Sequence, residues 1–141
     1  MVTPQDQVAK AAKTLIFEEP FYGLFLVGLN KNYRKDIPTA GVSKNGIGVQ
    51  LSINPDYISE LNLEQKIGLL KHELLHISFG HLIMRELYSD HKLFNIAADL
   101  EINQYIDEDY LPEGGVTMEM FADLNLKVRA GTTYYYEKLE E

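Results

Sequence analysis

The sequence predicts an α+β fold that is mostly helical and carries one small sheet. Apolar residues recur at helical spacing after Pro4 and again after Asn62, which predicts two of the helices. Residues 46–53, GIGVQLSI, instead alternate apolar with small or polar positions, which predicts a strand. The length of 141 residues is typical of one domain, so we expect residues 1–141 to form a single unit.

The composition limits which partners and which metal ligands can be expected. The net charge is −8 and no cluster of Lys or Arg is present, so a nucleic-acid partner is not expected. No apolar run reaches the roughly 20 residues of a membrane span, and the N-terminus does not resemble a signal peptide. We therefore expect a cytoplasmic protein with no membrane partner. Cysteine is absent, so a transition-metal site must use His, Asp or Glu.

The N-terminal part of the chain begins with a helix signal. Thr3 can cap the helix, Pro4 suits its first position, and the apolar spacing continues to about Glu18. Residues 20–29, PFYGLFLVGL, are apolar enough for the core, but their pattern does not distinguish helix from strand. Residues 30–45 are polar and rich in turn formers, which predicts a loop or an irregular hairpin.

The predicted strand and the two long helices come next. One face of the strand would carry Ile47, Val49, Leu51 and Ile53, and Pro55 would end it. Asn62 and Gln65 form a capping-box pattern for the following helix, which Gly80 would end. A second long helix should run from near Asp90 to Ile106. Shorter features follow: a turn at 111–115, LPEGG, and short helices after Thr117 and Thr133.

The segment HELLHISFGH (72–81) holds three of the four histidines in the chain. Residues four apart on a helix differ by about 40° around the axis, so His72 and His76 project from one face. Two imidazoles at this spacing can bind one zinc ion at ~2.0–2.1 Å. Glu73 lies about 100° further round, where it can act on water as a general base. The alternative, a core helix with a polar rim, would bury these groups at a cost.

Two residues compete for the place of third ligand. An unbroken helix would turn His81 about 140° away from the face of His76, so His81 could ligate only if the chain breaks at Gly80. Asp99 lies on the next predicted helix, among residues that indicate an inward-facing surface, and a lone carboxylate there needs a cation. We favour Asp99 on this geometry.

Asn95 and Asn103 lie one helical turn before and after Asp99. At this spacing their amides can hydrogen-bond to the metal ligands and orient them. Equally, they can be ordinary polar residues of the helix. The sequence does not distinguish between these two interpretations.

The chain resembles the zinc metallopeptidases of the HExxH type, and within them a domain often found N-terminal to von Willebrand factor A-like domains in bacterial and phage proteins. The resemblance spans most of the chain. It is carried by PF at 20–21, TA at 39–40, NP at 54–55, GLLKHELLHISFGH at 68–81, FNIAADLEIN at 94–103 and LPEGG at 111–115. The order and spacing of these segments are more specific than HExxH alone.

The resemblance implies a zincin-like fold whose sheet has an edge strand beside the metal cleft. In gluzincins a second helix supplies an acidic ligand, and the last histidine of HExxHxxxxH is not on the metal, which supports Asp99 over His81. Gluzincins use Glu, so an Asp here requires a closer helix. Asn103 takes the position of a helper residue. Residues 46–53 would be the edge strand that pairs with substrate through Gly48, Val49 and Gln50.

The function that follows is zinc-dependent hydrolysis of peptide bonds, with Zn²⁺ held by His72, His76 and Asp99 and Glu73 as general base. The substrate would be a peptide or a protein. The alternative is an interaction module that keeps the zinc but does not cut. An AAA+ ATPase partner is implied by the family resemblance alone.

Overall fold

The computed structural model describes residues 2–46 and 48–141. It confirms an α+β fold, mostly helical, with one three-stranded sheet. The helices are α1 (Pro4–Glu18), α2 (Pro20–Gly28), α3 (Pro55–Glu60), α4 (Leu63–Ser78), α5 (His81–Met84), α6 (His91–Asn103) and α7 (Thr132–Glu140). The strands are β1 (Asn30–Tyr33), β2 (Ala40–Asn45) and β3 (Gly48–Ile53). Short 3₁₀ turns cover Arg85–Leu87, Glu108–Tyr110 and Met118–Leu124.

The two N-terminal helices form a hairpin against α4. The predicted cap of α1 is present, because the Thr3 hydroxyl accepts a hydrogen bond from the Asp6 N–H and the Asp6 carboxylate accepts one from the Thr3 N–H. The undecided segment at 20–29 is the helix α2. It lies so close to α1 that a side chain at Gly23 would meet the backbone of Ile16.

The sheet has the order β1-β3-β2, with β1 parallel and β2 antiparallel to β3. Residues 30–45 therefore contain two strands, so the loop alternative is wrong for these stretches. The hairpin alternative is also wrong, because β1 and β2 each pair with β3 and not with each other. The outer strands are partly exposed and polar, so neither shows the apolar alternation by which a strand is recognised. In β3, Leu51 and Ile53 are fully buried, as predicted, whereas Ile47 lies outside the described residues.

The prediction that residues 46–53 form an edge strand is wrong. The strand β3 lies in the middle of the sheet, and the backbone of Gly48, Val49 and Gln50 faces β2 in a continuous register. A peptide cannot add to that side of β3 without displacing β2. Substrate contact by these three residues stays a prediction, and it loses the support of strand addition.

The helices α4 and α6 carry the predicted motif residues. The capping box of Asn62 and Gln65 opens α4, and Gly80, at φ 72°, follows its end in the left-handed conformation that favours glycine. Asp90 caps α6 by accepting from the Leu93 N–H. The helix α6 ends at Asn103, three residues earlier than predicted, and the chain continues in turns to Ile106.

The C-terminal part folds over the outer side of α6. The predicted turn at 111–115 and the short helices after residues 117 and 133 are present, the first of them as 3₁₀ turns. From α7, the side chains of Tyr135 and Tyr136 are buried against Phe94 and Leu100 of α6. Across the described ranges, no helix has both the length and the hydropathy to cross a membrane.

Candidate metal centre

Three side chains from two helices converge at one point. His72 and His76 lie one turn apart on α4, and their Nε2 atoms are 3.1 Å from each other. Asp99 reaches the same point from α6, with its Oδ1 atom 3.1 Å from Nε2 of His72 and 3.0 Å from Nε2 of His76. The three ligand atoms therefore form a nearly equilateral triangle. Among the described residues, this is the group of His, Asp and Glu whose geometry could hold a metal ion.

The triangle fits a tetrahedral zinc site with one open position. Ligand atoms that bind zinc at ~2.0–2.1 Å in a tetrahedron are about 3.3 Å apart, close to the observed separations. Two imidazole nitrogens and one carboxylate oxygen are also ligands that zinc prefers. Three lone pairs at such distances repel unless a proton or a cation lies between them.

The ring of His72 is held from behind by Asn103. The Nδ1 atom of His72 lies 2.7 Å from Oδ1 of Asn103, and Nδ2 of Asn103 donates to the carbonyl oxygen of Val116 at 2.8 Å. Because the amide nitrogen is already donating, the amide oxygen faces His72 and must accept. His72 therefore carries a proton on Nδ1. In neutral His72 this leaves the Nε2 lone pair for a metal.

The ring of His76 is held by another histidine. Its Nδ1 atom lies 3.0 Å from Nδ1 of His81, whose Nε2 atom lies 2.8 Å from the hydroxyl of Thr132. The chain does break at Gly80, as His81 would need to reach the site. The break directs His81 to the back of the His76 ring, however, and His81 is outside the metal-binding group formed by His72, His76 and Asp99.

Glu73 lies beside the cluster and is 5% exposed. It lines the cavity that also contacts His76. No hydrogen bond to the Glu73 carboxylate is found within residues 2–46 and 48–141. Burial raises the pKa of Glu73, while the neighbouring His72 and His76 act in the opposite direction. A carboxylate with a raised pKa and no fixed partner is suited to accept and release a proton.

The protonation of the metal-free cluster follows from its charges. Burial lowers the pKa of His72, but its contact with Asp99 and the nearby Glu73 outweigh burial and raise it to about 9. Burial acts to raise the pKa of Asp99, but the hydrogen bonds from His72 and His76 hold it well below the usual range. Burial and the neighbouring His76 lower the pKa of His81 to about 4, so His81 is neutral.

Two cavities flank the cluster. One, of about 280 Å³, contacts His76 and Glu73 and is bounded by Gly41 and Val42 of β2 and by Arg85. The other, of about 160 Å³, lies on the far side. It contacts His72, Asp99 and Asn103, and the turn residues Glu113 and Gly114 close it.

Similarity to known proteins is consistent with this site. Residues 3–140 match the family model described as "Putative metallopeptidase domain". The chain belongs to this family. An uncharacterized protein of Thermotoga maritima is 33% identical to this chain over 106 residues, which are 74% of the chain and 27% of the relative. The chain thus spans about a quarter of the length of that relative. No solved structure matches this chain.

Asn103 and Asn95 have different surroundings in the folded chain. Asn103 is buried and bonded to His72, whereas Asn95 is exposed. In the described part of the chain, Asn95 makes no hydrogen bond to His72, His76 or Asp99, although it lines the larger cavity. The structure therefore gives no support to the prediction that Asn95 orients a ligand.

The contact between His81 and Thr132 could not be predicted from the sequence. Thr132 lies 51 residues after His81, at the first turn of α7, and no local motif connects the two. A threonine at a helix start ordinarily indicates a cap. Only the folded chain brings its hydroxyl against a histidine of the site.

Proposed function

We propose that this domain is a zinc-dependent peptidase. The observation that carries the proposal is the convergence of His72, His76 and Asp99 at 3.0–3.1 Å beside the buried carboxylate of Glu73. Zinc bound there would lower the pKa of a coordinated water towards ~7 and polarise a carbonyl group. These are the two requirements of amide hydrolysis that side chains alone supply poorly.

Glu73 is assigned the proton transfers. Its carboxylate accepts a proton from the attacking water and then delivers that proton to the nitrogen of the leaving amine. Burial favours the protonated form of Glu73 between these two steps, because it raises the pKa of this group. His72 and His76 serve as neutral ligands whose Nδ1 protons point away from the metal, towards Asn103 and His81.

The free side of β2 is the proposed binding edge for a peptide. Asn54 donates from its N–H to the Thr39 carbonyl oxygen directly opposite, at 2.8 Å. Hydrogen-bonded and non-bonded pairs alternate along an antiparallel ladder, so the N–H of Val42 points away from β3. Val42 also borders the larger cavity. A peptide extended along this edge would pass Glu73 with its backbone paired.

The test combines metal content with turnover. Purified protein should contain about one zinc per chain and cleave members of a mixed peptide library. Glu73→Gln should keep the zinc and lose turnover by roughly 10³-fold or more, because the amide cannot take the proton. Glu60→Gln, at the exposed end of α3, is the matched control and should leave both unchanged.

The other possible results of this test lead to different conclusions. Cleavage that survives Glu73→Gln would reject the assignment of the general base. Protein that binds zinc but cleaves no peptide would indicate the inactive binding module. A protein that takes up no zinc on titration would reject the metal site and the peptidase together.

A further inference from the structure

The rings of the two histidine ligands are held by different numbers of residues. His72 is held by one amide, from Asn103 on α6. His76 is held by a chain of two residues, His81 and then Thr132, which leads to the start of α7. Through this chain of contacts, the tautomer and the orientation of His76 depend on Thr132.

The protons along this chain have one consistent arrangement. Zinc needs the Nε2 lone pair of His76, so the proton of neutral His76 lies on Nδ1. The 3.0 Å contact then requires Nδ1 of His81 to accept, which places the proton of neutral His81 on Nε2. That N–H must donate, and the Thr132 hydroxyl at 2.8 Å is its acceptor. The opposite tautomer of His81 would bring two N–H groups together.

The surroundings leave His81 little freedom to change partner. His81 is 4% exposed, and Thr132 is 6% exposed. The His81 ring packs edge-on against Phe79 and Phe94, with centroids 5.8 and 5.7 Å away. Among residues 2–46 and 48–141, Thr132 is the residue found within hydrogen-bond distance of Nε2 of His81, so loss of its hydroxyl would leave a buried N–H without that acceptor, which is unfavourable.

The position of Thr132 is itself fixed from α6. The preceding residue, Gly131, donates its N–H to the buried carboxylate of Glu101 at 3.1 Å. Further along α7, the hydroxyl of Tyr135 accepts from the side chain of Gln104 at 2.9 Å. The helix that supplies Asp99 and Asn103 therefore also places the acceptor for His81.

We propose that His81 and Thr132 are positioning residues that select the tautomer and orientation of His76 and so set the affinity of the site for zinc. This inference rests on the metal site of the proposed function and assigns neither residue to the zinc itself. The C-terminal helix then contributes to metal binding through one hydroxyl group. Loss of that hydroxyl weakens zinc binding even though it lies two side chains away from the ligand nitrogen.

The test compares three variants of neighbouring threonines. Thr132→Val keeps the shape and removes the acceptor, whereas Thr132→Ser keeps the hydroxyl. Thr133→Val is the matched control, because Thr133 is exposed and its hydroxyl contacts Tyr88 instead. Zinc affinity, measured by competition with a chromophoric chelator, should fall about 10- to 100-fold in Thr132→Val. It should remain within about 3-fold of wild type in the other two.

A second pair of variants separates positioning from folding. His81→Phe preserves the packed ring but offers no acceptor to His76, and His81→Asn offers Oδ1 near the position of Nδ1. His81→Phe should bind zinc about 10- to 100-fold more weakly, and His81→Asn should recover most of that loss. With Co²⁺ in place of zinc, the visible absorption bands should shift in His81→Phe and Thr132→Val but not in Thr133→Val. If Thr132→Val does not fold, the comparison of His81→Phe with His81→Asn still tests the proposal.

The results distinguish this inference from the proposed function. Wild-type protein that binds zinc, with equal affinities in Thr132→Val and Thr132→Ser, would overturn the inference and leave the peptidase proposal standing. Equal losses in His81→Phe and His81→Asn would overturn it as well. Wild-type protein that takes up no zinc would overturn both.

Discussion

Nε2 of His76 and Oδ1 of Asp99 lie 3.0 Å apart, although the two residues belong to different helices. The contact exists because α4 and α6 cross with these two positions facing each other. An aspartate side chain has only one methylene, so the two helices must approach closely here. The same contact supplies the negative charge that a site with two imidazoles otherwise lacks.

Asp99→Ala should remove one of three ligands and weaken zinc binding by about 100-fold or more. Asn95→Ala, on the same helix, is the control and should keep the wild-type affinity, because Asn95 is exposed and bonded to none of the ligands within the described residues. Chelator competition measures both. Unchanged affinity in Asp99→Ala would remove Asp99 from the ligand set.

Removing the metal should lower the melting temperature. Free zinc at 1,000 times the dissociation constant stabilises the folded state by about 4 kcal/mol, which corresponds to roughly 10–15 °C for a domain of this size. Thermal unfolding with and without a chelator measures the difference. Glu73→Gln should show the same difference, since it keeps all three ligands. Identical curves with and without chelator would contradict a bound metal in this fold.

The metal-free protein should lose stability in mildly alkaline solution. In the folded state the pKa of His72 is raised to about 9, against ~6.5 in an unfolded chain. Its charged form therefore stabilises the fold fully below pH ~6.5, and this contribution disappears as the pH rises through about 9. Urea unfolding in chelator at pH 7 and pH 9.5 tests this. The decrease should be much smaller in His72→Gln, and an equal decrease there would refute the assignment.

Val42→Pro should impair catalysis without loss of zinc. The substitution removes the one N–H of Val42, which points away from β3 towards the cleft. Loss of one hydrogen bond to substrate should lower kcat/KM by about 3- to 10-fold. Val42→Ala changes the side chain but keeps the N–H, so it should lower kcat/KM less. If both variants are equally active, the peptide does not pair with β2.

Gly68→Ala should be strongly destabilising. A Cβ atom at Gly68 would lie 1.7 Å from the carbonyl oxygen of Tyr110, so α4 or the 3₁₀ turn at 108–110 would have to move. Overpacking of this kind costs about 1–3 kcal/mol or more. Gly28→Ala is the control, because a Cβ there meets no atom within 4 Å, and it should leave stability unchanged or raise it slightly. Denaturant unfolding measures both.

Much of the local structure was predictable from the sequence. The caps at Thr3 and Asn62 and the helix end at Gly80 all depend on residues within one helical turn of each other. The bounds of β1 and β2 and their pairing with β3 were not predicted, because a partly exposed polar strand carries no apolar alternation. Asn103 and Asn95 have the same spacing from Asp99, and only the fold places Asn103 against His72 and leaves Asn95 exposed.

By itself the sequence determined that His72 and His76 share one face of a helix with Glu73 beside them, since helical geometry fixes the directions of residues so close in the chain. Only the tertiary structure decided that Asp99 joins them, that His81 lies behind His76, and that Thr132 contacts His81. The order of the strands was also decided at this level. The physical reason is that contacts between distant segments depend on how helices and strands pack, and no local pattern of residues encodes that packing.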